Sequence, residues 1–327
     1  MNANAVGGAV ATRQRGPISP HTSSAGAYGK AASSRRQTRP NGFTLIELVV
    51  VTCILAILSS ITIGAMRNAS RNSRRDTTKF IVQKLNDAVM DRWEQYEDLA
   101  VQMNPTTLPK LKKLRAIIRE ELPDSWEDVP DSTAGATTPA GQSYVAYKNA
   151  SPTPSAAYAG AECLYMIITQ SGMFPDFLER IRPEQIGDID QDGKLEFWDG
   201  WRRPISFIRW APGFPSELQR QNPDSDEFKY DPLDPYHVDQ TSLALFPLIF
   251  SPGPDEALND PLSASASGYG LVSVAEAGWP DEALAATVGS SPCTYIPQGA
   301  SSTVGTPDPN NPQAYRDNIT NHDLLTR

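Results

Sequence analysis

A run of nineteen uncharged residues, from Leu48 to Met66, constrains this chain more than any other feature of its sequence. The run is rich in Leu, Ile, Val and Ala, and about 20 such residues in a helix cross the hydrocarbon core of a bilayer. A secretory signal normally has a shorter apolar region, of about 7–15 residues. The sequence therefore predicts one transmembrane helix, which with its flank covers residues 43–66.

The segment before this helix is basic and poor in apolar side chains. Residues 1–42 contain six Arg or Lys residues and no acid. Such a composition cannot bury a core, so it predicts a disordered leader. Positive charge favours the cytoplasmic side of a membrane, which predicts a cytoplasmic N-terminus.

The remainder of the chain is strongly acidic. The whole chain has a net charge of −9, and the six positive charges of residues 1–42 leave −15 on residues 43–327. Binding to a nucleic-acid backbone requires clustered Lys and Arg, so this charge excludes nucleic acid as a predicted partner. It fits an exported domain, or one that collects divalent cations.

The helix is predicted to continue beyond the membrane. Apolar residues recur at steps of three and four along residues 67–104, which is typical of an amphipathic helix. Pro105 disfavours continuation, so one helix from Phe43 to Met103, about 90 Å long, is expected. The apolar stripe consists of Phe80, Ile81, Leu85, Ala88, Val89, Trp93, Tyr96, Leu99 and Ala100.

Residues 105–327 are predicted to form an α+β domain with long loops. The periodicity of apolar residues predicts helices over 108–122 and 162–170, and β-branched or aromatic runs predict strands over 204–210 and 243–251. Residues 123–160, and the chain beyond 251, are rich in small residues and proline and are expected to be loops. The predicted fold is a long N-terminal helix packed on a small antiparallel sheet.

Glu47 lies within the apolar segment. A carboxylate at membrane depth costs about 2.5–3.5 kcal/mol on insertion scales, so such a residue usually has a partner. A simple membrane anchor would be better served by Leu at this position. The position of Glu47 therefore predicts a functional ion pair.

The sequence from Gly42 to Glu47, Gly-Phe-Thr-Leu-Ile-Glu, resembles the prepilin cleavage and methylation motif of type IV pilins and type II secretion pseudopilins. The resemblance implies that prepilin peptidase cuts between Gly42 and Phe43 and methylates the new amine of Phe43. It also implies that Glu47 compensates the Phe43 ammonium of a neighbouring subunit during filament assembly. Two buried opposite charges tolerate lipid only as a pair, which agrees with this role.

The same resemblance implies the partners and the location of the chain. The partners are prepilin peptidase, other pseudopilin subunits in homo- or hetero-filaments, an inner-membrane assembly platform and the membrane itself. The chain is expected to cross the inner membrane once, with its C-terminal domain in the periplasm.

Three short segments in the C-terminal half are similar to the major pseudopilin of type II secretion. Residues 199–204 resemble its turn before a strand, residues 250–255 its strand exit, and residues 317–320 its terminal Asp-Asn-Ile. The spacings depart from that family, because Gly200 precedes Trp201 and a long insert separates Asp260 from Asp317. These matches leave open whether the chain is a major or a minor subunit.

Residues 188–199, Asp-Ile-Asp-Gln-Asp-Gly-Lys-Leu-Glu-Phe-Trp-Asp, predict a calcium loop. Calcium takes six to eight oxygens, and Gly193 permits the turn that brings them together. The pattern resembles EF-hand and dockerin loops, and relatives of the pilin family bind calcium in a loop nearer the C-terminus. The predicted ligands are Asp188, Asp190, Asp192, the carbonyl of Lys194, Glu196 and Asp199. An acidic surface turn is the alternative.

Two cysteines outside the membrane segment, Cys163 and Cys293, could pair in an oxidising compartment, and two unpaired thiols fit the sequence equally well. Catalysis is not predicted. Beyond the leader the only histidines are His237 and His322, which are not spaced for zinc, and no nucleophile or phosphate-binding motif occurs.

Two functions remain open from the sequence. The first is a structural subunit of a type II secretion or type IV pilus-like filament. The second is a membrane-anchored, calcium-dependent binding module that does not polymerise. The ion pair between Phe43 and Glu47 distinguishes them, because only the first function needs it.

Overall fold

A computed structural model describes the part of the chain that carries the predicted helices and strands. The described residues are 42–150, 152–154, 156, 158–211, 213–219, 231–238, 244–254, 271, 304–305, 307 and 317–325. The leader up to residue 41, Cys293 and Asp260 lie outside these residues. The chain divides into two units between Leu58 and Ser59.

Helix α1, Leu45–Met103, is one continuous helix of 59 residues. It begins two residues later than predicted, because Thr44 caps its first turn. It ends where the sequence predicts, and Asn104 follows in the left-handed region with a φ of 47°. Every residue from 42 to 76 is exposed.

In the second unit, α1 buries one stripe of side chains. The stripe consists of Thr78, Ile81, Val82, Leu85, Asn86, Val89, Trp93, Tyr96 and Ala100. Phe80 was expected in this stripe but is 54% exposed, with its ring under the Lys84 ammonium. The helical period explains the error, since Ile81 and Val82 already occupy the buried side of this turn.

Among the described residues, three further helices of more than ten residues lie around this stripe. Helix α2 is Leu108–Glu121, α3 is Pro139–Asn149 and α4 is Ala159–Gln170. Helix α3 lies in the region that was expected to be a loop, so that prediction is wrong. The Thr138 hydroxyl accepts the Gly141 N–H at 3.0 Å and Pro139 occupies the first turn, so the helix start is well capped although its sequence is only weakly apolar.

In the described part of the chain, five short strands form two antiparallel sheets. Strands β1 (Ile186–Gly187) and β2 (Glu196–Phe197) pair with Ile186 opposite Phe197. The second sheet has the order β3-β4-β5, from Ser206–Ile208, Leu248–Ser251 and Ile319–Thr320. The fold class is α+β, as predicted. The predicted strands over 204–210 and 243–251 are confirmed in shorter form.

The end of the described chain is also structured. Strand β5 leads into a short helix α5, Asn321–Leu325, where a loop was expected. Asn321 explains this order, because its amide donates to Asn86 Oδ1 of α1 at 2.8 Å and its Oδ1 accepts the Ile249 N–H at 2.9 Å. These contacts are between segments far apart in sequence, so local patterns could not reveal them.

Helix α4 lies at the centre of the domain. It packs against β2 and β3, and eight of its twelve residues are buried. The same core includes α1 side chains such as Trp93 together with Phe197, Phe207 and Ile249. Because α4 is buried on nearly all sides, any charged residue on it must have a polar or ionic partner.

Candidate functional site

The segment around the predicted cleavage site is accessible. Gly42 and Phe43 precede α1, and Phe43 is 81% exposed. The helix that follows is apolar and long enough to span a membrane, and none of its most apolar stretch is buried inside the protein. This surface therefore needs lipid or another protein around it.

Within the chain, Glu47 pairs with Thr44. Glu47 Oε2 accepts hydrogen bonds from the Thr44 main-chain N–H and from its hydroxyl, each at 2.9 Å. The Thr44 hydroxyl in turn accepts the Glu47 N–H at 3.3 Å. This is the reciprocal arrangement of a capping box, and the spacing of Thr44 and Glu47 ahead of an apolar run is its sequence signature. The role of Thr44 was missed in the sequence.

The predicted calcium loop joins β1 to β2. Gly193 adopts a left-handed φ of 82°, and its N–H donates to Asp188 Oδ2 at 2.9 Å. The Lys194 N–H donates to Asp192 Oδ1 at 2.8 Å. The turn thus folds back on its own acidic residues, as the position of Gly193 predicted.

The loop acids come together in two overlapping groups. Oxygens of Asp188, Asp190 and Asp192 all lie within 4.8 Å of one another. Asp190 also belongs to a second group of the same dimension with Glu196 and Glu162. Glu162 comes from the first turn of α4 and was not predicted, although an acid in so apolar a helix is a signal that could have been followed.

Asp199 does not join either group, so its assignment as the closing ligand is wrong. Its Oδ1 accepts the Trp201 and Arg203 N–H groups at 2.7 and 2.9 Å, and its Oδ2 accepts the Ser251 hydroxyl at 2.7 Å. Asp199 therefore stabilises the turn before β3, the other role that the sequence suggested for it.

Lys194 fixes the loop to α3. Its ammonium donates to the carbonyl oxygens of Tyr147 and Ala150, both at 2.8 Å, and lies over the Tyr147 ring. These bonds reach carbonyl groups at the end of α3, where helical carbonyls lack regular partners; the Tyr147 carbonyl also accepts the Ala150 N–H at 3.3 Å. The Lys194 side chain is thus structural, and the role of its carbonyl as a ligand stays a prediction.

The two glutamates of the inner group are fully buried. Glu162 Oε2 accepts the Trp126 indole N–H at 2.5 Å, and Glu196 Oε2 accepts the Trp198 indole N–H at 3.4 Å. Burial raises the pKa of Glu162 to about 9 and that of Glu196 to about 8, and repulsion from neighbouring loop acids adds to both increases. In the absence of a cation, the surroundings of Glu162 and Glu196 therefore disfavour the ionised form of both side chains.

The remaining candidate residues from the sequence are two cysteines and two histidines. Cys163 is a buried free thiol of α4, and Cys293 lies outside the described residues, so their pairing stays a prediction. His237 is exposed on a loop with a φ of 49°. His322 is buried, with Nδ1 at 2.9 Å from the Ser216 hydroxyl and Nε2 at 3.1 Å from the Pro247 carbonyl.

One comparison with known proteins gives a match. Residues 38–63 match the prokaryotic N-terminal methylation motif, a span that includes the Gly42–Phe43 junction, Glu47 and most of the apolar run. A search of curated proteins and a search of solved structures each find no match to the chain.

Proposed function

We propose that this chain, a precursor of the type IV pilin and pseudopilin family, is a structural subunit of a type II secretion or type IV pilus-like filament. The observation that carries the proposal is the methylation motif at residues 38–63, with Glu47 inside an exposed apolar helix. Such precursors are processed by prepilin peptidase, which would cut between Gly42 and Phe43 and methylate Phe43.

Electrostatics explains why processing precedes assembly. Cutting after Gly42 creates an ammonium on Phe43, two residues before α1 begins at Leu45. An ammonium and a carboxylate in lipid are each costly alone, and together they form a pair. If Phe43 of one subunit meets Glu47 of the next, each subunit is placed at a fixed axial offset from its neighbour.

The remaining parts of the proposal follow from this role. The subunit crosses the inner membrane once, with residues 67–327 in the periplasm, and is collected by an inner-membrane assembly platform together with other pseudopilin subunits. We assign it no catalytic activity, in keeping with a sequence that has no nucleophile or phosphate-binding motif.

A second function is favoured by one observation. Glu47 already has a partner in its own chain, because Thr44 donates two hydrogen bonds to it. A monomer with this contact is a sufficient membrane anchor, and its acidic loop could serve as a calcium-dependent binding module that never polymerises.

The two functions are separated by Glu47→Gln, which removes the charge but keeps an oxygen for Thr44. As a filament subunit, this variant inserts into the membrane and is cut normally, yet fails to form cross-linkable oligomers. Glu94→Gln is the matched control, because Glu94 is an exposed acid of α1 outside the apolar run. Mass spectrometry of the native N-terminus gives the second reading, with methylated Phe43 expected.

Two results would refute filament assembly. One is a native chain that still begins upstream of Gly42. The other is an equal yield of oligomers from the wild type and from the Glu47→Gln variant.

A further inference from the structure

Two buried carboxylates face each other where α4 meets the loop between β1 and β2. Glu162 comes from α4 and Glu196 begins β2, and neither side chain is exposed to solvent. With Asp190 of the loop, they place three carboxylate oxygens within 4.8 Å of one another. Asp188 and Asp192 surround Asp190 at the same spacing on the more open side.

One oxygen of each glutamate lacks a hydrogen bond. Glu162 Oε1 and Glu196 Oε1 are buried and have no partner in the described part of the chain. The other oxygen of each accepts an indole N–H, from Trp126 and Trp198 respectively. Buried polar atoms are nearly always paired, and an unpaired buried carboxylate oxygen costs several kcal/mol, so these two oxygens point to a missing ligand.

We propose that a divalent cation of the calcium class binds between α4 and the β1–β2 loop. Glu162, Asp190 and Glu196 supply the inner carboxylates, and Asp188 and Asp192 supply further oxygens from the open side. This site does not depend on filament assembly. It differs from the loop predicted from sequence in two respects, because Glu162 of α4 joins the ligands and Asp199 is excluded.

The chemistry of the ligands selects the type of cation. Calcium binds oxygen ligands at about 2.3–2.6 Å in a flexible geometry, which suits a group of carboxylates contributed by a helix and a loop. Magnesium needs shorter distances and a stricter octahedron. Neither group contains His or Cys, the ligands that zinc prefers.

A cation here would connect two parts of the domain that are distant in sequence. Helix α4 packs on β2 and β3, whereas the loop is joined to the end of α3 through Lys194. The ion adds a third connection, from α4 directly to the loop. Calcium would therefore stabilise the β1–β2 hairpin against the centre of the domain.

Protonation of the two glutamates is the alternative to a cation. It removes the repulsion between the carboxylates without adding a ligand. The two possibilities predict opposite behaviour when Glu162 is replaced by Gln. Without a cation, Gln is a close substitute for a neutral glutamic acid, whereas with a cation it removes a charged ligand.

Terbium luminescence tests the site in the full-length chain in detergent micelles. Terbium substitutes for calcium and is excited by nearby indoles, and Trp126 and Trp198 contact two of the ligands. We expect sensitised emission that calcium displaces. In Glu162→Gln the affinity for terbium and calcium should fall at least about tenfold, since loss of even an outer partner of a metal ligand costs 10–100-fold. Glu184→Gln, at an exposed acid close in sequence, is the control and should bind like the wild type.

The dependence of the melting temperature on calcium distinguishes a metal ligand from a side chain that only stabilises the fold. Calcium should raise the melting temperature of the wild type and of Glu184→Gln, and should not raise that of Glu162→Gln. In chelator, Glu162→Gln should melt close to the wild type, because Gln is a close substitute for a neutral glutamic acid.

Three results would overturn the proposal: no calcium-displaced emission from the wild type, unchanged affinity in Glu162→Gln, or a Glu162→Gln variant that calcium stabilises like the wild type. If Glu162→Gln lacks the native near-ultraviolet circular dichroism, Asp190→Asn replaces it with the same expectations for affinity.

Discussion

Removing the Arg209 guanidinium should destabilise the domain severely and in a pH-dependent way. Arg209 follows β3 and is fully buried beside two aspartates. Its Nη1 donates to Asp128 Oδ2 at 2.9 Å and to the Leu122 carbonyl at 2.8 Å, and its main-chain N–H donates to Asp124 Oδ2 at 2.9 Å. Arg209 therefore neutralises two buried carboxylates and caps the end of α2 at once.

The expected loss in the free energy of unfolding follows from the contacts that remain in Arg209→Met. Asp128 keeps a second partner, Arg119, at 2.6 Å, but Asp124 is left with no cation among these contacts. Breaking a buried ion pair by removing one partner costs about 3–5 kcal/mol, which is a large part of a typical domain stability of about 5–15 kcal/mol. Arg119→Met is the control. The Arg119 side chain is 30% exposed, so we expect a loss of only about 1 kcal/mol.

The deficit of Arg209→Met should shrink as the pH falls. Burial raises the pKa of Asp128, but the charges of Arg209 and Arg119 outweigh it and hold that pKa below its usual value. In the wild type, burial already raises the pKa of Asp124 to about 7 despite the Arg209 charge, so the wild type gains some stability on acidification. Without Arg209 the pKa of both aspartates rises further, so the folded variant takes up more protons and gains more stability than the wild type.

Urea unfolding of the full-length chain in detergent, followed by tryptophan fluorescence at pH 8 and pH 5.5, measures both effects. A deficit below about 1 kcal/mol at pH 8 would refute the claim that Arg209 is the essential counter-charge. So would a deficit that grows at pH 5.5.

Three further predictions concern contacts that close the fold. Asn321→Ala should cost about 2–4 kcal/mol in urea unfolding, since it leaves Asn86 Oδ1 and a main-chain N–H buried without partners; a loss below about 0.5 kcal/mol would contradict this. Gly200→Ala should lower the melting temperature, because the added Cβ would lie 2.3 Å from the Arg74 carbonyl oxygen; an unchanged temperature would show that the backbone adjusts freely. Burial lowers the pKa of His322 to about 4, so the unfolded chain is protonated first and stability falls by about 3 kcal/mol between pH 6.5 and pH 4. His322→Gln should lose this part of the slope, and equal slopes in the two proteins would exclude His322 as its source.

The long helix and the processing motif could be predicted from the sequence because both are local. The uncharged run, Pro105 and the spacing of Gly42, Phe43 and Glu47 each lie within a short window. The bounds of α1 are correct to within two residues. The α+β class also followed from local periodicity, which distinguishes α4 from the strands around it.

The errors concern elements and residues whose reasons lie elsewhere in the chain. Helix α3 is weakly apolar, and its cap at Thr138 is held in place by Glu120 of α2, whose carboxylate accepts the Thr138 N–H at 2.8 Å. Strand β5 is two residues long and exists because Asn321 reaches α1. No pattern within residues 317–325 reveals such a contact.

The acidic loop also contains both residues that local spacing predicts and residues whose role depends on distant parts of the chain. Asp188, Asp190, Asp192 and Glu196 could be chosen from spacing alone, and the structure brings them together. Spacing could not separate Asp199 from this set, because the competing partner is Ser251, 52 residues away. Glu162 could not be chosen by spacing, because it lies on α4 whereas its neighbours in the cluster belong to the β1–β2 loop and β2.

The capping box of Thr44 and Glu47 has a consequence for the supply of subunits. In the proposed role as a filament subunit, a solitary chain in the bilayer would hold its acid with two hydrogen bonds from Thr44 and could be stored without a companion. Joining a polymer would then exchange these two hydrogen bonds for one ionic contact, which reduces the net gain. We expect recruitment to be readily reversible, with unused copies returning to the pool instead of clustering at random.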